Sequence, residues 1–219
     1  MTVPGRVEAA SLLLSLDPPA WFVRHARAVA EVAAWLAARI EARGMAVDRR
    51  LVEAAALLHD VDKALPAGDP ARARPHGEGS AAWLTRRGHP ELARAVVGHP
   101  VTRLLDGEAY RRWAAFASRE ERVVAYADKR AGQRLETMDT RFASWRRRYG
   151  QGASDASDRR DADPDGGAWH AVRARAGRLE ADVCRAAGVT PTEVRRLAWT
   201  GDALRAARVA GADAVARPA

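Results

Sequence analysis

The sequence predicts an all-α helical bundle, and three observations carry that expectation. Its 219 residues are rich in Ala, Arg and Leu and poor in Ile and Thr, and β-branched residues lose more side-chain freedom in a helix than Ala, Leu or Arg do. Apolar residues recur three and four apart through the long segments, which is the period of a buried helix face. The segment boundaries carry helix caps and breakers. The length suffices for one substantial core, or for one domain with an appendage.

The first helix is expected after Asp17-Pro18-Pro19, with Asp17 as cap, and runs to about Arg43-Gly44. Asp48 starts a second helix that ends near His59-Asp60. From Lys63 to Gly77 the prolines and glycines come too often for regular structure. A helix over Glu78–Arg86 follows, then a break at Gly88-His89-Pro90. The next helix spans Pro90 to about Val97 and stops at Gly98-His99-Pro100. Ser118 with Glu121 forms a capping box that opens a helix over residues 118–136. A further helix, separate or continuous, carries RFASWRRRYG. Residues 1–149 are thus expected to form one helical metal-binding domain, and the Gly- and Asp-rich stretch 150–167 a linker. Asp161, Asp163, Asp165 and Gly166 imitate the start of a calcium loop, but its twelfth position is Val172 where Glu is required, so calcium is rejected. Residues 168–219 form a C-terminal helical appendage, with helix to about Ala187 and another begun by Thr190-Pro191. The appendage is expected either to pack on the bundle or to build a homodimer contact.

The formal net charge is +8, with arginines spread along the chain among acidic residues. The one dense cluster is WRRRY, residues 145–149, with Arg141 one turn earlier. This balance suits an anionic substrate, and a nucleic-acid partner is the less favoured reading. Cys184 is the single cysteine, so no intrachain disulfide forms, and it reads as a small buried hydrophobe. SLLLSL is too short for a signal-peptide core, and no apolar run reaches the roughly 18 to 20 residues that cross a bilayer. A soluble cytoplasmic protein without a membrane partner is expected.

The chemistry gathers in AAALLHDVDKALPAG, residues 54–68. On the first long helix His25 shares a face with Phe22, Val29, Val32, Leu36 and Ile40. On the next, His59 shares a face with Val52 and Ala55, and Asp60 lies about 100° further round. His99 aligns with Leu92, Ala95 and Val96, and Asp128 with Val124, Ala125 and Leu135. Any one of these has an ordinary explanation: a core histidine, a polar helix end, or Asp128 paired with Lys129 or Arg130. Together they are hard to explain separately, because an unpaired inward carboxylate costs several kcal/mol. One divalent cation satisfies all of them. Imidazole with carboxylate suits iron, manganese, cobalt or zinc, with magnesium as a further candidate. Such an ion generates hydroxide near neutral pH, and two clamp a phosphoryl group. Lys63 either offers its ammonium to a phosphate oxygen or merely caps the helix C-terminus.

A lone His, then His-Asp, then a later Asp resembles the HD-domain metal-dependent phosphohydrolases. LLHDVDKA is similar to that family's LLHDIGK segment, RHARAVAEVAAWLA to its first histidine helix, and VVAYADKRAG to its terminal-aspartate helix. The likeness covers roughly residues 20–149. It implies an HD-type bundle with extra C-terminal helices, and His25, His59, Asp60 and Asp128 as ligands of a principal metal. Asp60 bridges if there are two ions, and His76 and His99 complete the second; His89 is a competitor in a helix-to-helix turn. Asp60 and Lys63 are the expected catalytic residues, Lys63 also contacting substrate. Glu78 reads as a first-turn helix residue, with an acid or water-orienting role as the alternative. The implied substrate is a phosphorylated small molecule or nucleotide, since the six-ligand pattern is similar to the symmetrical dinucleoside tetraphosphate hydrolases and other small nucleotide phosphohydrolases. Asp62 stands where the family usually has Gly. It is expected to pair with Lys63 or an arginine of the 72–74 loop, the alternative being that it reshapes the pocket.

Overall fold

A helix buried on several sides, α2 (Ala20–Ala42), organises the fold. Its Ala26, Ala28, Ala30, Ala33, Ala34 and Ala37 are buried together with Phe22, Val29, Val32, Leu36 and Ile40. So many alanines let neighbouring helices approach closely from more than one direction. The computed structural model describes residues 3–149 and 167–216. Among these residues α1 (Arg6–Leu14) precedes α2, and α3 (Arg49–Leu58), α4 (Glu78–Arg86), α5 (Pro90–Val97), α6 (Gly107–Phe116), α7 (Arg119–Arg130), α8 (Met138–Tyr149), α9 (Gly167–Ala187) and α10 (Trp199–Ala216) follow. Short 3-10 turns lie at Val61–Ala64, Val101–Leu104 and Pro191–Glu193. The fold is all-α, and the described residues hold only one isolated antiparallel bridge, Ala131 with Leu135. No described helix is long and apolar enough to cross a membrane.

α3 and α7 flank α2, α3 also touches α5 and α7, and α4 packs on α5 and on the turn after α3. The local signals explain the boundaries. Asp48 accepts from the Leu51 amide at 2.9 Å and starts α3. At α7, Ser118 Oγ accepts from Glu121 N at 3.2 Å while the Glu121 carboxylate accepts from Ser118 N at 2.7 Å. These reciprocal bonds satisfy two amides that a helix start leaves without partners.

Several expectations need correction. Pro19, not Asp17, is the N-cap of α2; Asp17 instead turns the chain at φ 46°, a left-handed conformation that Asp tolerates better than most residues. The helix expected over 118–136 ends at Arg130, because residues 131–137 fold into a closed turn. There Glu136 N donates to Arg130 O at 2.7 Å and Gly132 N to Arg134 O at 3.0 Å. Thr190-Pro191 opens only a 3-10 turn, and the next α-helix starts at Trp199. α1 and α6 were not foreseen. α6 is capped by Asp106, which accepts from the amides of Glu108 and Ala109.

The C-terminal helices join the same core. α9 lies against α7 and α2, burying Val172, Ala176, Leu179, Val183, Cys184 and Ala187. The Tyr126 hydroxyl donates to Glu180 at 2.9 Å and accepts from Arg130 at 2.6 Å. α10 packs against α1 and α2. The segment before it is tied down by Glu31, a buried carboxylate on α2. Glu31 accepts from Arg27 at 2.8 Å, Arg196 Nε at 2.7 Å and the Thr200 hydroxyl at 2.6 Å. The expected linker over 150–167, with its calcium-loop likeness, lies outside the described residues except for Gly167, which opens α9.

Candidate metal centre

Three helix ends and one helix start converge beside α2. His25 projects from α2, His59 and Asp60 stand at the end of α3, His99 follows α5, and Asp128 lies in the last turn of α7. His76 comes from the loop just before α4, where periodicity gives no indication of its direction. His59, Asp60 and His99 are buried, and His76 and His25 are partly open.

The six side chains divide into two groups that share Asp60. In the first, His25 Nε2 lies 3.2 Å from His59 Nε2, 3.3 Å from Asp60 Oδ2 and 3.5 Å from Asp128 Oδ1. His59 Nε2 is 3.6 Å from each of the same two carboxylate oxygens. In the second, Asp60 Oδ1 lies 3.1 Å from both His76 Nε2 and His99 Nε2, and these two nitrogens are 3.2 Å apart. Atoms bound to one ion at about 2.1 Å stand about 3.0 to 3.4 Å from one another. The observed spacings match or come close to that range.

The outer nitrogens decide what the inner ones are. His25 Nδ1 donates to Gly132 O at 2.7 Å, His59 Nδ1 to Ala56 O at 2.8 Å and His99 Nδ1 to Val96 O at 2.6 Å. A carbonyl only accepts, so in each ring Nδ1 carries a proton, and the ring in its neutral form turns the Nε2 lone pair inward. His76 Nδ1 donates to Asp62 Oδ2 at 2.8 Å, with the same result. Four lone pairs thus face two carboxylates, an arrangement that repels itself unless a cation or protons intervene. The donor set fits a divalent ion on its own chemistry, without any appeal to relatives.

The electrostatics follow from this crowding. Burial works against the Asp60 anion, but the surrounding imidazoles outweigh it and hold its pKa well below the usual carboxylate range. Asp128 is likewise held well below, its burial overcome by His59 and Lys129. Burial disfavours a charged His76, yet hydrogen bonds to Asp60 and Asp62 lift its pKa to about 9. His25 is raised in the same way by Asp60 and Asp128. For His99 burial dominates, and its pKa falls to about 4. Lys63 is raised: Asp60 outweighs the burial of its ammonium.

The partners of Asp62 differ from those expected. Lys63 Nζ donates to Asp60 Oδ2 at 2.6 Å, so Asp62 is not its partner. Nor does Asp62 reach the 72–74 loop. Its Oδ2 accepts from His76 Nδ1 and from Gly77 N at 3.0 Å, because the 3-10 turn after α3 carries it toward the start of α4. Asp128 pairs with neither Lys129 nor Arg130. Lys129 is buried and donates to His99 O at 2.6 Å and Ala125 O at 3.2 Å, whereas Arg130 turns to Tyr126 and the Glu136 carbonyl. His89 stays apart as the N-cap of α5, and Glu78 is exposed at the start of α4.

A cleft of about 290 Å³ opens onto the cluster, lined in part by Lys63, Thr102, Gln133, Arg141, Ser144 and Trp145. The polar wall from Thr102, Gln133 and Ser144 was not foreseen, since no local pattern marks it. Trp145 is buried, edge-on to Phe142 with Arg141 above its ring at 5.4 Å. It supports the cleft wall and offers no open face for stacking a base.

The family model of the HD domain matches residues 22–132, just over half of the chain and the span that contains all six clustered side chains. No curated protein and no solved structure matched in the corresponding searches. His25 near the start of the matched span and Asp128 near its end stand in the same cluster as the His59-Asp60 pair, and the chain belongs to the HD-domain family.

Proposed function

We propose that the chain is a metal-dependent phosphohydrolase that cleaves a phosphoester or a nucleotide. The observation that carries this reading is Asp60, whose two oxygens face two separate pairs of imidazoles at the floor of a cleft bearing Lys63 and Arg141. His25, His59, Asp60 and Asp128 would hold one ion, and His76 and His99, with Asp60 shared, a second. Bound there, divalent ions lower the pKa of bound water toward neutrality and offset charge on phosphoryl oxygens.

The chain's own residues supply the remainder. Lys63 presents its ammonium beside the shared carboxylate, within the same cleft, and is suited to meet a phosphate oxygen as a point charge. Arg141 is steadied by its Nη2 contact to Asp128 O at 3.3 Å and by the Trp145 ring, which sets its guanidinium on the cleft wall. Two cations and polar Thr102, Gln133 and Ser144 favour an anionic, hydrogen-bonding ligand over an apolar one. The rings of four histidines favour iron, manganese, cobalt or zinc over magnesium, which prefers oxygen ligands. The buried position of Trp145 weighs against a nucleic-acid-binding reading built on the WRRRY stretch.

The test is a panel of phosphomonoesters, phosphodiesters, nucleotides and dinucleoside polyphosphates, assayed with each candidate ion on wild type and Asp60→Ala. Turnover that needs the ion and disappears in the variant supports the reading. Metal-independent turnover, or none on any phosphorylated compound, contradicts it.

A further inference from the structure

Asp62 is left without a task by the six-residue cluster, although it is buried and two residues from Asp60. Its carboxylate is aimed. Oδ2 accepts from His76 Nδ1 at 2.8 Å and from Gly77 N at 3.0 Å, while the Asp62 amide donates to Ser80 Oγ at 3.2 Å. The start of α4 is shaped to allow this approach. A Cβ on Gly79 would stand 2.9 Å from Asp62 Cβ and 2.5 Å from Ala71 O. Gly77 has φ +85°, and a Cβ there would come within 2.7 Å of Pro100 Cγ. The HGEGS stretch therefore lets His76 and Asp62 meet with the imidazole edge turned to Asp60.

Resting on the two-ion reading above, we propose that Asp62 is a positioning residue for the second metal subsite: it fixes the tautomer and direction of His76. The reason is specific to His76. His25, His59 and His99 are each oriented by a backbone carbonyl, two of them from their own helix turn. His76 precedes its helix and is the most exposed of the four rings, at 31% of its side chain. Without an acceptor for Nδ1 its ring is free to rotate or to take the other tautomer. A side-chain carboxylate supplies that acceptor, and a carboxylate–imidazole pair also raises the basicity of the ligating nitrogen. Oδ1 of Asp62 is buried without a hydrogen-bond partner, so direct ligation by this oxygen is the competing role.

The experiment is a Co2+ titration of wild type, Asp62→Gly and Asp62→Asn under anaerobic conditions, followed by visible absorbance and calorimetry. Circular dichroism and first-ion affinity report on folding. The wild type is expected to take up two ions. Asp62→Gly should keep the first and bind the second about 10- to 100-fold more weakly, the usual effect of losing such a partner. In Asp62→Asn the amide oxygen still accepts from Nδ1 and Gly77 N, and most of that loss should be recovered. A Gly variant that binds the second ion as the wild type does overturns the proposal. So does an Asn variant as weak as the Gly variant with the first ion intact, which assigns Asp62 to direct ligation. A wild type that takes up fewer than two ions removes the two-ion reading and this proposal together, and is recognised by the wild-type arm alone.

Discussion

The Lys63 ammonium donates to Asp60 Oδ2 at 2.6 Å, and that same oxygen faces His25 Nε2 at 3.3 Å. A cation held by the first group of ligands competes for this oxygen and leaves the ammonium free to turn toward the cleft. Replacing Lys63 by Met should therefore leave metal content intact or slightly higher while lowering kcat/KM for a phosphorylated substrate by about a hundredfold. Steady-state kinetics beside metal analysis of the same preparation check both halves. Loss of metal with the substitution would show instead that Lys63 supports the ligands.

On the proposed two-ion reading, the shared carboxylate makes the two subsites separable by mutation. His99→Ala should reduce the ion count by one, because His99 Nε2 lies 3.1 Å from Asp60 Oδ1 and 3.2 Å from His76 Nε2, on the side of the shared carboxylate away from His25 and Asp128. Asp60→Ala should empty both positions, since each group uses one of its oxygens. Elemental analysis after exhaustive dialysis distinguishes the two variants. Equal losses would argue against a bridging Asp60.

Metal loading should depend on pH, with a sign that follows from His76. Its pKa of about 9 without metal means that the ring is protonated at neutral pH, while an ion needs the bare Nε2. Binding then expels a proton, and affinity for the second ion falls about tenfold for each unit of acidification below that value. His99, at about 4, is already neutral and adds no further proton in this range. The raised pKa of His25 gives the first ion a proton release of the same sign. Calorimetry in two buffers of different ionisation enthalpy measures the protons released. A pH-independent affinity would contradict the prediction.

Glu31, on the same helix as His25 but outside the cluster, gives a prediction about stability. Its buried carboxylate holds Arg27, Arg196 and Thr200, and the Glu31 carbonyl accepts from Leu197 N at 3.1 Å. Glu31→Ala takes the shared acceptor from buried Thr200 and from two arginines that keep partial access to water, and should cost about 1 to 3 kcal/mol. Urea denaturation should show a lower midpoint, with metal content of the folded protein unchanged. A cost below about 1 kcal/mol would place the arginines in solvent-screened contacts instead.

Helix periodicity accounts for how much of this arrangement was legible in advance. His25, His59, His99 and Asp128 lie on the inward faces of helices whose apolar residues announce that face, and Asp60 follows from its place beside His59. The resemblance brought in His76, which stands before α4 where no period applies. The partner of Asp62 was hidden because a four-residue 3-10 turn sets its direction, and such a turn leaves no repeating pattern. α7 stops at Arg130 for a tertiary reason: the closed turn that follows places the Gly132 carbonyl against His25 Nδ1. α1 escaped notice because it is nine residues long and its main partner, α10, is almost the whole chain away. The course of the Lys129 side chain to the His99 carbonyl was not legible, since it depends on how α5 packs against α7.

The most direct test of the central claim is an anomalous-diffraction crystal structure of the protein loaded anaerobically with Mn2+ or Co2+. The account predicts two anomalous peaks bridged by Asp60, one held by His25, His59 and Asp128 and the other by His76 and His99. Metal-loaded crystals with no anomalous density within ligand distance of Asp60 would contradict it.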